Sequence, residues 1–300
     1  MKEHAASFLA YLRDRGFSEN TVERYGRVLD GFLAHLRQMP EAETCDPRRI
    51  TKTIVVGFLR SSGANGTEPS GVVWNVRLAC LRSFFGHLYR EELLPENPAA
   101  KVEFARLIQR NPTYLTYPEY QAFLAAIRRV GTHFYRDRDF AIAVTFYNTG
   151  LRLSELVALD IDQIDWSNET LREVARKGGR VKDVYFNGEV TVALKAWLRR
   201  RDRLDLDETE QSLFVSDRRQ RLGRRSVERL FSRYSEAAGL GKNITPHVLR
   251  HTTATELLRR GEDIRIVSEV LNHSNLNTTK RYAHLMEGAE KRAVDRLAGG

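Results

Sequence analysis

Cysteine is nearly absent, with Cys45 and Cys80 the two in 300 residues. A pair so separated makes neither a disulfide framework nor a metal-binding spacing, which fits a reducing compartment. An uninterrupted apolar run of roughly 18–20 residues, the length that crosses a bilayer, is missing as well. The first nine residues, Met1 to Leu9, are too polar for a secretory signal, so a cytoplasmic protein without a membrane partner is expected. Negative charge falls short of positive: 39 Asp and Glu face 48 Lys and Arg, leaving a net charge of +9 and a pI near 9.7. That excess favours a polyanionic partner, although charge alone does not separate nucleic acid from a membrane surface. Its distribution is uneven. Residues 1–105 hold 14 basic against 13 acidic side chains, and residues 106–300 hold 34 against 26. A phosphate backbone is therefore expected to be gripped by the C-terminal part.

What is present is mostly helical periodicity. Residues 4–14 carry Ala5, Phe8, Leu9 and Leu12 at helical spacing, and Ser18 reads as the cap of a second helix with Val22, Leu29, Phe32 and Leu36 on one face. A shorter helix is expected over 51–60, and a long one from Ser70 to about residue 92, punctuated by Asn75, Arg77 and Arg82. Those three read as a solvated face or as DNA contacts, and the sequence leaves both open. Residues 94–98, with Pro95 and Pro98, stop that helix, so 1–95 is expected as one helical domain and 96–113 as a linker. Thr116 and Glu119, with Pro118 between them, form a capping-box start. Further helices are expected over about 137–148, from Arg152 onward, over 189–203 and from Ser226 to 238. Short strands are expected at 161–166, 170–175, 181–186 and 213–216, the second and third joined by a hairpin whose basic tip is Arg176-Lys177-Gly178-Gly179-Arg180. The fold class is thus mainly α with a small antiparallel β-sheet, in two domains, the second spanning 114–300.

The chemistry-bearing residues gather late in the chain. Thr245 and Pro246 mark a helix start, which puts His247 and Arg250 three apart on one face. A guanidinium binds two phosphoryl oxygens bidentately, and an imidazole moves protons near neutral pH, so the pair suits a phosphodiester. Tyr282, preceded by Thr278 and Thr279 as caps, is the candidate nucleophile. Arg152 stands at another helix start with Glu155 three residues on, and a helix N-terminus already favours an anion. Lys177, on the hairpin tip, reads as a solvated side chain or as one that hands a proton to a leaving alkoxide, and the sequence leaves both open. The run Arg218, Arg219, Arg221, Arg224 and Arg225 is a candidate for phosphate or groove contacts, of which Arg221, Arg224 and Arg225 are taken as DNA-binding. His247 and His251 share the spacing of a zinc pair, but Val248 stands where a metalloprotease helix has its glutamate, so no metal and no cofactor are assigned.

These motifs, in this order and at this spacing, resemble the tyrosine recombinase (phage integrase) family. They are Thr-Gly-Leu-Arg152-x-Ser-Glu155-Leu, the hairpin Lys177, Thr-Pro-His247-x-Leu-Arg250-His, Leu-x-His273 and Thr-Thr-x-x-Tyr282. The resemblance covers the catalytic domain from about Thr116 to Leu285, and the N-terminal helices are similar to that family's core-binding, SAM-like domain. Size and domain content look most like the Xer branch. Three departures stand out: Asn272 replaces a usual glycine, Thr252 stands where serine is common, and Arg176 rather than glycine begins the Lys177 loop.

The resemblance implies site-specific recombination. Tyr282 attacks the scissile phosphorus to give a 3′-phosphotyrosyl link, Arg152 and Arg250 stabilise the non-bridging oxygens, and His273 donates a further hydrogen bond. His247 is implied as general base, Lys177 as general acid, and Glu155 as the carboxylate that orients its neighbours. It also implies double-stranded DNA as partner, a tetramer that exchanges strands through a Holliday junction, a second recombinase or accessory motor, and a C-terminal helix over 287–300 that docks on a neighbouring protomer. The biological role is either chromosome or plasmid dimer resolution or the integration of a mobile element. A type IB topoisomerase and a catalytically idle DNA-binding regulator are the competing classes.

Overall fold

Side-chain caps account for where most of the helices begin. A computed structural model gives the structure, describing residues 1–39, 46–61, 66–107, 112–176 and 179–272. Thr51 Oγ accepts from the Ile54 amide at the start of α3 (Lys52–Arg60), and Ser70 Oγ from the Val73 amide at the start of α4 (Gly71–Arg90). Two helices precede them, α1 (Lys2–Asp14) and α2 (Glu19–Leu36). Ser18 stands at the N-cap of α2 but makes no cap bond, its hydroxyl lying 3.0 Å from that of Thr21. Each cap of this kind supplies one of the amide partners that a helix start lacks.

The chain divides into two compact units, Met1–Gln109 and Arg110–Gly300. In the first, the apolar faces of α1 to α4 close on Phe8, Leu12, Leu29, Phe32, Phe58, Leu81, Phe84 and Phe85, all buried. Phe32 meets Phe58 edge-on at 5.2 Å and Phe8 meets Phe84 at 5.5 Å, the offset geometry that ring quadrupoles prefer. Asn75, Arg77 and Arg82 spend their donors inside this unit. Arg77 donates to the Phe58 and Ser61 carbonyls at 3.1 and 2.8 Å, closing the end of α3, and stacks over the Phe58 ring. Asn75 exchanges hydrogen bonds with the Ala105 backbone, and Arg82 donates to the carbonyls of Ala99, Ala100 and Val102. Residues 97–105, read from sequence as the first part of a linker, therefore lie along α4, with Ala99 and Val102 buried in its core.

The second unit is built around a helix buried on most of its circumference. Thr116 opens α5 (Tyr117–Val130) with the expected capping box, Glu119 accepting from the Thr116 amide at 2.8 Å. Then comes α6 (Arg136–Thr149), in which Ala141 to Phe146 are all buried. Around it pack α5, α8 (Gly188–Arg201), α9 (Arg224–Ala238) and α10 (Pro246–Arg259), with Phe123, Trp197, Phe214 and Phe231 filling the spaces. The short helices α7 (Leu153–Val157) and α11 (Ile264–Val270) complete the set among the described residues. Gly150 ends α6 in the left-handed region at φ +60°, and a Cβ there would lie 2.6 Å from Leu271 Cδ2. Glycine is required at this position by conformation and by space.

One antiparallel sheet of order β1-β2-β3 lies in this unit, from β1 (Ile164–Asp165), β2 (Thr170–Ala175) and β3 (Val181–Tyr185). Leu171 pairs with Val184 and Ala175 with Val181, and a bulge between Leu171 and Val174 holds Glu173 at φ +50°. Three local expectations are corrected. Of the strand expected at 161–166, the first three residues form a 3-10 turn, because Gln163 reaches back to the Asp160 amide at 2.9 Å. Residues 213–216 form no strand, with isolated bridges at Ser212 and Val215 in its place. Ser226 does not cap α9: extended Gly223 is the N-cap, so Arg224 and Arg225 belong to the helix's first turn.

The bonds of Arg82 make a stability test. A charged donor lost from buried carbonyls costs roughly 2 kcal/mol, so Arg82→Met is expected to destabilise the first unit by about that amount. Hydrogen exchange of the α4 amides measures it, and unchanged protection there would show that residues 97–105 are held by packing alone.

Candidate active site

Glu155 occupies the third position of α7, where its carboxylate reaches back to the helix start. It accepts from the Arg152 amide at 2.8 Å and, through the other oxygen, from Arg152 Nη1 at 2.8 Å. A second guanidinium, that of Arg176 at the end of β2, bonds the same carboxylate. Glu155 and Arg176 side chains are each 3% exposed and that of Arg152 is 31% exposed, so Arg152 alone of the three keeps an open face. Burial pushes the Glu155 carboxyl up, but the hydrogen bonds from Arg152 and Arg176 more than offset it, leaving its pKa below the ordinary value.

The second arginine comes from α10. Thr245 caps this helix, accepting from the Val248 amide at 3.2 Å, and Pro246 lies in its first turn, as expected. Arg250, buried, donates to the carbonyls of Gly150 and Leu271. Arg152 Nη2 donates to the Asn272 carbonyl at 2.9 Å. Two arginines 98 positions apart in the chain are thereby tied to adjacent carbonyls at the end of α11. Lys182 of β3 joins them, its ammonium 3.1 Å from the Glu269 carbonyl. A helix C-terminus carries unpaired carbonyls and a negative partial charge, and basic side chains satisfy both. Asn272 leaves the helix at φ +48°. Asparagine tolerates that region better than most residues, which explains how it stands where glycine is usual.

His247 lies on the same face of α10 as Arg250. Its pKa is lowered from the ordinary imidazole value, first by desolvation and then by the charges of Arg250 and Arg152, while Glu228 on α9 acts the other way. The histidine and both arginines therefore share one electrostatic environment. Thr252, where serine is common, bridges the Val248 carbonyl and the Leu115 amide at 2.8 and 2.9 Å. It fastens α10 to the segment that leads into the unit.

Of the expected catalytic residues, Arg152, His247 and Arg250 are brought together, with Glu155 behind Arg152. Lys177, His273, Tyr282, the caps Thr278 and Thr279 and the C-terminal helix lie outside the described residues. So does Cys45. Among the residues expected to touch DNA, Arg221 bonds the Val157 and Leu159 carbonyls and pairs with Asp160. Arg225 is exposed beside Glu228 and Arg229, and Arg224 lies next to it in the first turn of α9. Arg176 and Lys182 were not singled out as site residues. Their only signal in the sequence was position, a basic side chain at each foot of a hairpin that leads into the site.

Known proteins align with both units. The model of the phage integrase family matches residues 113–288, and that of the phage integrase N-terminal SAM-like domain matches residues 5–92. The chain is 32% identical to tyrosine recombinase XerC of Thermodesulfovibrio yellowstonii over 289 residues, covering 94% of this chain and 91% of the relative. It is 33% identical to tyrosine recombinase XerC of Pelotomaculum thermopropionicum over 295 residues, 95% of this chain and 94% of the relative. Among solved structures, XerH site-specific recombinase bound to its palindromic difH substrate in a post-cleavage complex has the same fold, with a TM-score of 0.74 at 21% identity, covering 93% of this chain and 80% of that one.

Two predictions come from this geometry. Replacing Glu155 by glutamine leaves two guanidiniums without a counter-charge and is expected to destabilise the second unit by about 3 kcal/mol at neutral pH. Because the Glu155 pKa is depressed in the folded state, that difference is present above the unfolded carboxyl value, about 4.3, and shrinks as pH falls through the folded one. Urea titrations of both proteins from pH 7 to pH 3 measure it, and a difference independent of pH would place the loss in packing. For His247, imidazole NMR is expected to give a titration midpoint below about 6.5. Glu228→Gln is expected to lower it further and Arg152→Gln to raise it, and an unmoved midpoint in both variants would exclude the shared field.

Proposed function

The chain belongs to the phage integrase family, and from that premise we propose that it is a site-specific DNA recombinase of the tyrosine type, Xer-like, working through a 3′-phosphotyrosyl intermediate and a Holliday junction. The observation that carries the reading is the convergence of Arg152 and Arg250 beside His247, with a buried carboxylate behind them. Two guanidiniums with fixed orientation stabilise a dianionic phosphorane better than the monoanionic diester it forms from, and that difference is what lowers a barrier.

In the proposed sequence the Tyr282 hydroxyl gives its proton toward His247 and its oxygen attacks the scissile phosphorus. A P–O bond to tyrosine forms and the P–O5′ bond breaks. The lowered pKa of His247 keeps the imidazole neutral, and so able to accept a proton, at pH 7. Arg152 and Arg250, with His273, hold the non-bridging oxygens. Lys177 protonates the departing 5′-oxygen. The diester energy is kept in the phosphotyrosine, so a 5′-hydroxyl of a second duplex reverses the step without a nucleotide cofactor. Glu155 serves by holding Arg152 in one orientation.

Arg224 and Arg225, at the N-terminus of α9 where amides and arginines add their positive ends, are proposed as phosphate contacts. The proposal extends to a tetramer on two DNA sites, a partner recombinase or accessory motor, a cytoplasmic location, and either chromosome partition or the movement of an element. No helix among the described residues is long and apolar enough to cross a membrane, which is compatible with a DNA-bound role.

The test is covalent trapping on nicked duplexes tiled across the palindromic sites of the host chromosome. The wild-type chain is expected to give an adduct that survives denaturation, Tyr282→Phe none, and Arg152→Gln or Arg250→Gln a yield rate lower by about 100-fold or more. An adduct persisting in Tyr282→Phe would overturn the nucleophile, and tight binding without any adduct would make the chain a DNA-binding protein only.

A further inference from the structure

Arg176 stands where the resemblance leads one to expect a glycine, and its surroundings do not read as those of a filler. Its amide donates to the Arg180 carbonyl at 2.7 Å, so the residue that follows β2 is still tied across the hairpin. Its side chain turns inward, away from the tip, and meets Glu155. Its Nε is buried without a hydrogen-bond partner among the described residues. A buried cation with one of its donors unsatisfied is a poor way to stabilise a fold. It is, however, an effective way to fix a point of the backbone.

The contact with Glu155 joins the end of β2 to the start of α7, the element that carries Arg152. The residue that follows Arg176 in the chain is Lys177.

We propose that Arg176 is a positioning residue for release of the 5′-oxygen, stapling the foot of the β2–β3 hairpin to Glu155 and so anchoring the backbone that leads into Lys177 to the element that carries Arg152. This rests on the reading of Lys177 as general acid. The staple transfers no proton and makes no contact with DNA. Lys182, at the opposite foot of the hairpin, holds the last turn of α11 through the Glu269 carbonyl, so the two feet are fastened to the two sides of the same site.

The decisive experiment uses a 5′-bridging phosphorothiolate at the scissile position. A thiolate leaves without protonation, so a variant deficient only in delivery of the proton regains its rate on that substrate, and a variant deficient in holding the phosphate does not. Single-turnover cleavage by the full-length chain is measured on the oxygen and sulfur substrates for wild type, Arg176→Gln, Arg176→Lys and Lys177→Ala, with DNA binding and thermal unfolding followed in parallel. On the oxygen substrate Arg176→Gln is expected to be slower by about 10- to 100-fold, with Arg176→Lys between it and wild type. On the sulfur substrate all three are expected within a few-fold of wild type.

Equal losses on both substrates for the Arg176 variants, with Lys177→Ala rescued, would overturn the proposal and assign Arg176 to the arrangement of Arg152. Wild-type rates for Arg176→Gln on oxygen would also overturn it. Failure of sulfur to rescue Lys177→Ala would instead remove the general-acid reading on which it stands. Should Arg176→Gln fail to fold, Arg176→Lys, which keeps the charge and loses the planar fork, decides between the same outcomes.

Discussion

A single buried carboxylate sets the arrangement of the second unit's polar centre. Glu155 meets the Arg152 amide, the Arg152 guanidinium and the Arg176 guanidinium, and its side chain is 3% exposed. Taking an anion out of water is expensive, and here the expense is met by charge-assisted hydrogen bonds and by its place in the first turn of α7, where a helix favours negative charge. The geometry has a consequence for specificity more than for stability. Either arginine, moved from its place, would leave the buried carboxylate short of charge-assisted hydrogen bonds, so the start of α7 and the end of β2 have one low-energy relation. Arg152, clamped on one edge by this carboxylate and on the other by the Asn272 carbonyl, is left with a single orientation for its exposed face.

The rest of the scaffold answers the problem of fixing a short helix end. With seven residues, α11 has too few internal bonds to be stable by itself. Its last turn is held instead by cations from three other places, Lys182 of β3, Arg250 of α10 and Arg152 ahead of α7. Arg250 reaches that turn past the Gly150 carbonyl, and Leu271 packs where Gly150 has no side chain. The left-handed glycine that ends α6 is thus also the space in which α11 sits. Buried α6 supports this from beneath, its own ion pair of Arg138 and Asp139 anchored to the Val215 carbonyl and the Tyr234 hydroxyl.

How much of this was legible in the sequence follows from the range of each interaction. Local signals read well: the capping box of Thr116 and Glu119 and the cap Thr245 depend on neighbours three residues away. The two units, the mainly helical class and the hairpin came from periodicity and turn chemistry, which are also local. Ser226 was misplaced as a cap because extended Gly223 competes for the same role, and the 161–166 strand because a glutamine side chain closes a turn within it. Side-chain destinations were the least legible. Nothing near Asn75, Arg77 or Arg82 in the sequence says that their partners are carbonyls 16 to 30 positions away. Arg176 is the sharpest case, because the carboxylate that turns it inward lies 21 positions earlier.

The electrostatics of His247 join these threads. A base depressed by burial and then by neighbouring cations is a weaker acceptor, and taken alone that argues against its use. The proton it would take, however, leaves a phenolate, and the same guanidiniums that oppose charge on the imidazole favour charge on the phenolate and then on the phosphoryl oxygens. In the proposed step, negative charge grows toward Arg152 and Arg250 as positive charge grows on His247, so attraction and repulsion rise together. Which dominates depends on how rigidly the arginines are held. Free guanidiniums would turn away from a protonated imidazole. Those of Arg152 and Arg250, tied to Glu155 and to the carbonyls of Gly150, Leu271 and Asn272, stay where the phosphate needs them. The charge of Glu228 offsets part of the repulsion. The buried carboxylate and the fastened helix end are therefore the condition on which the proposed use of a depressed histidine beside two arginines depends.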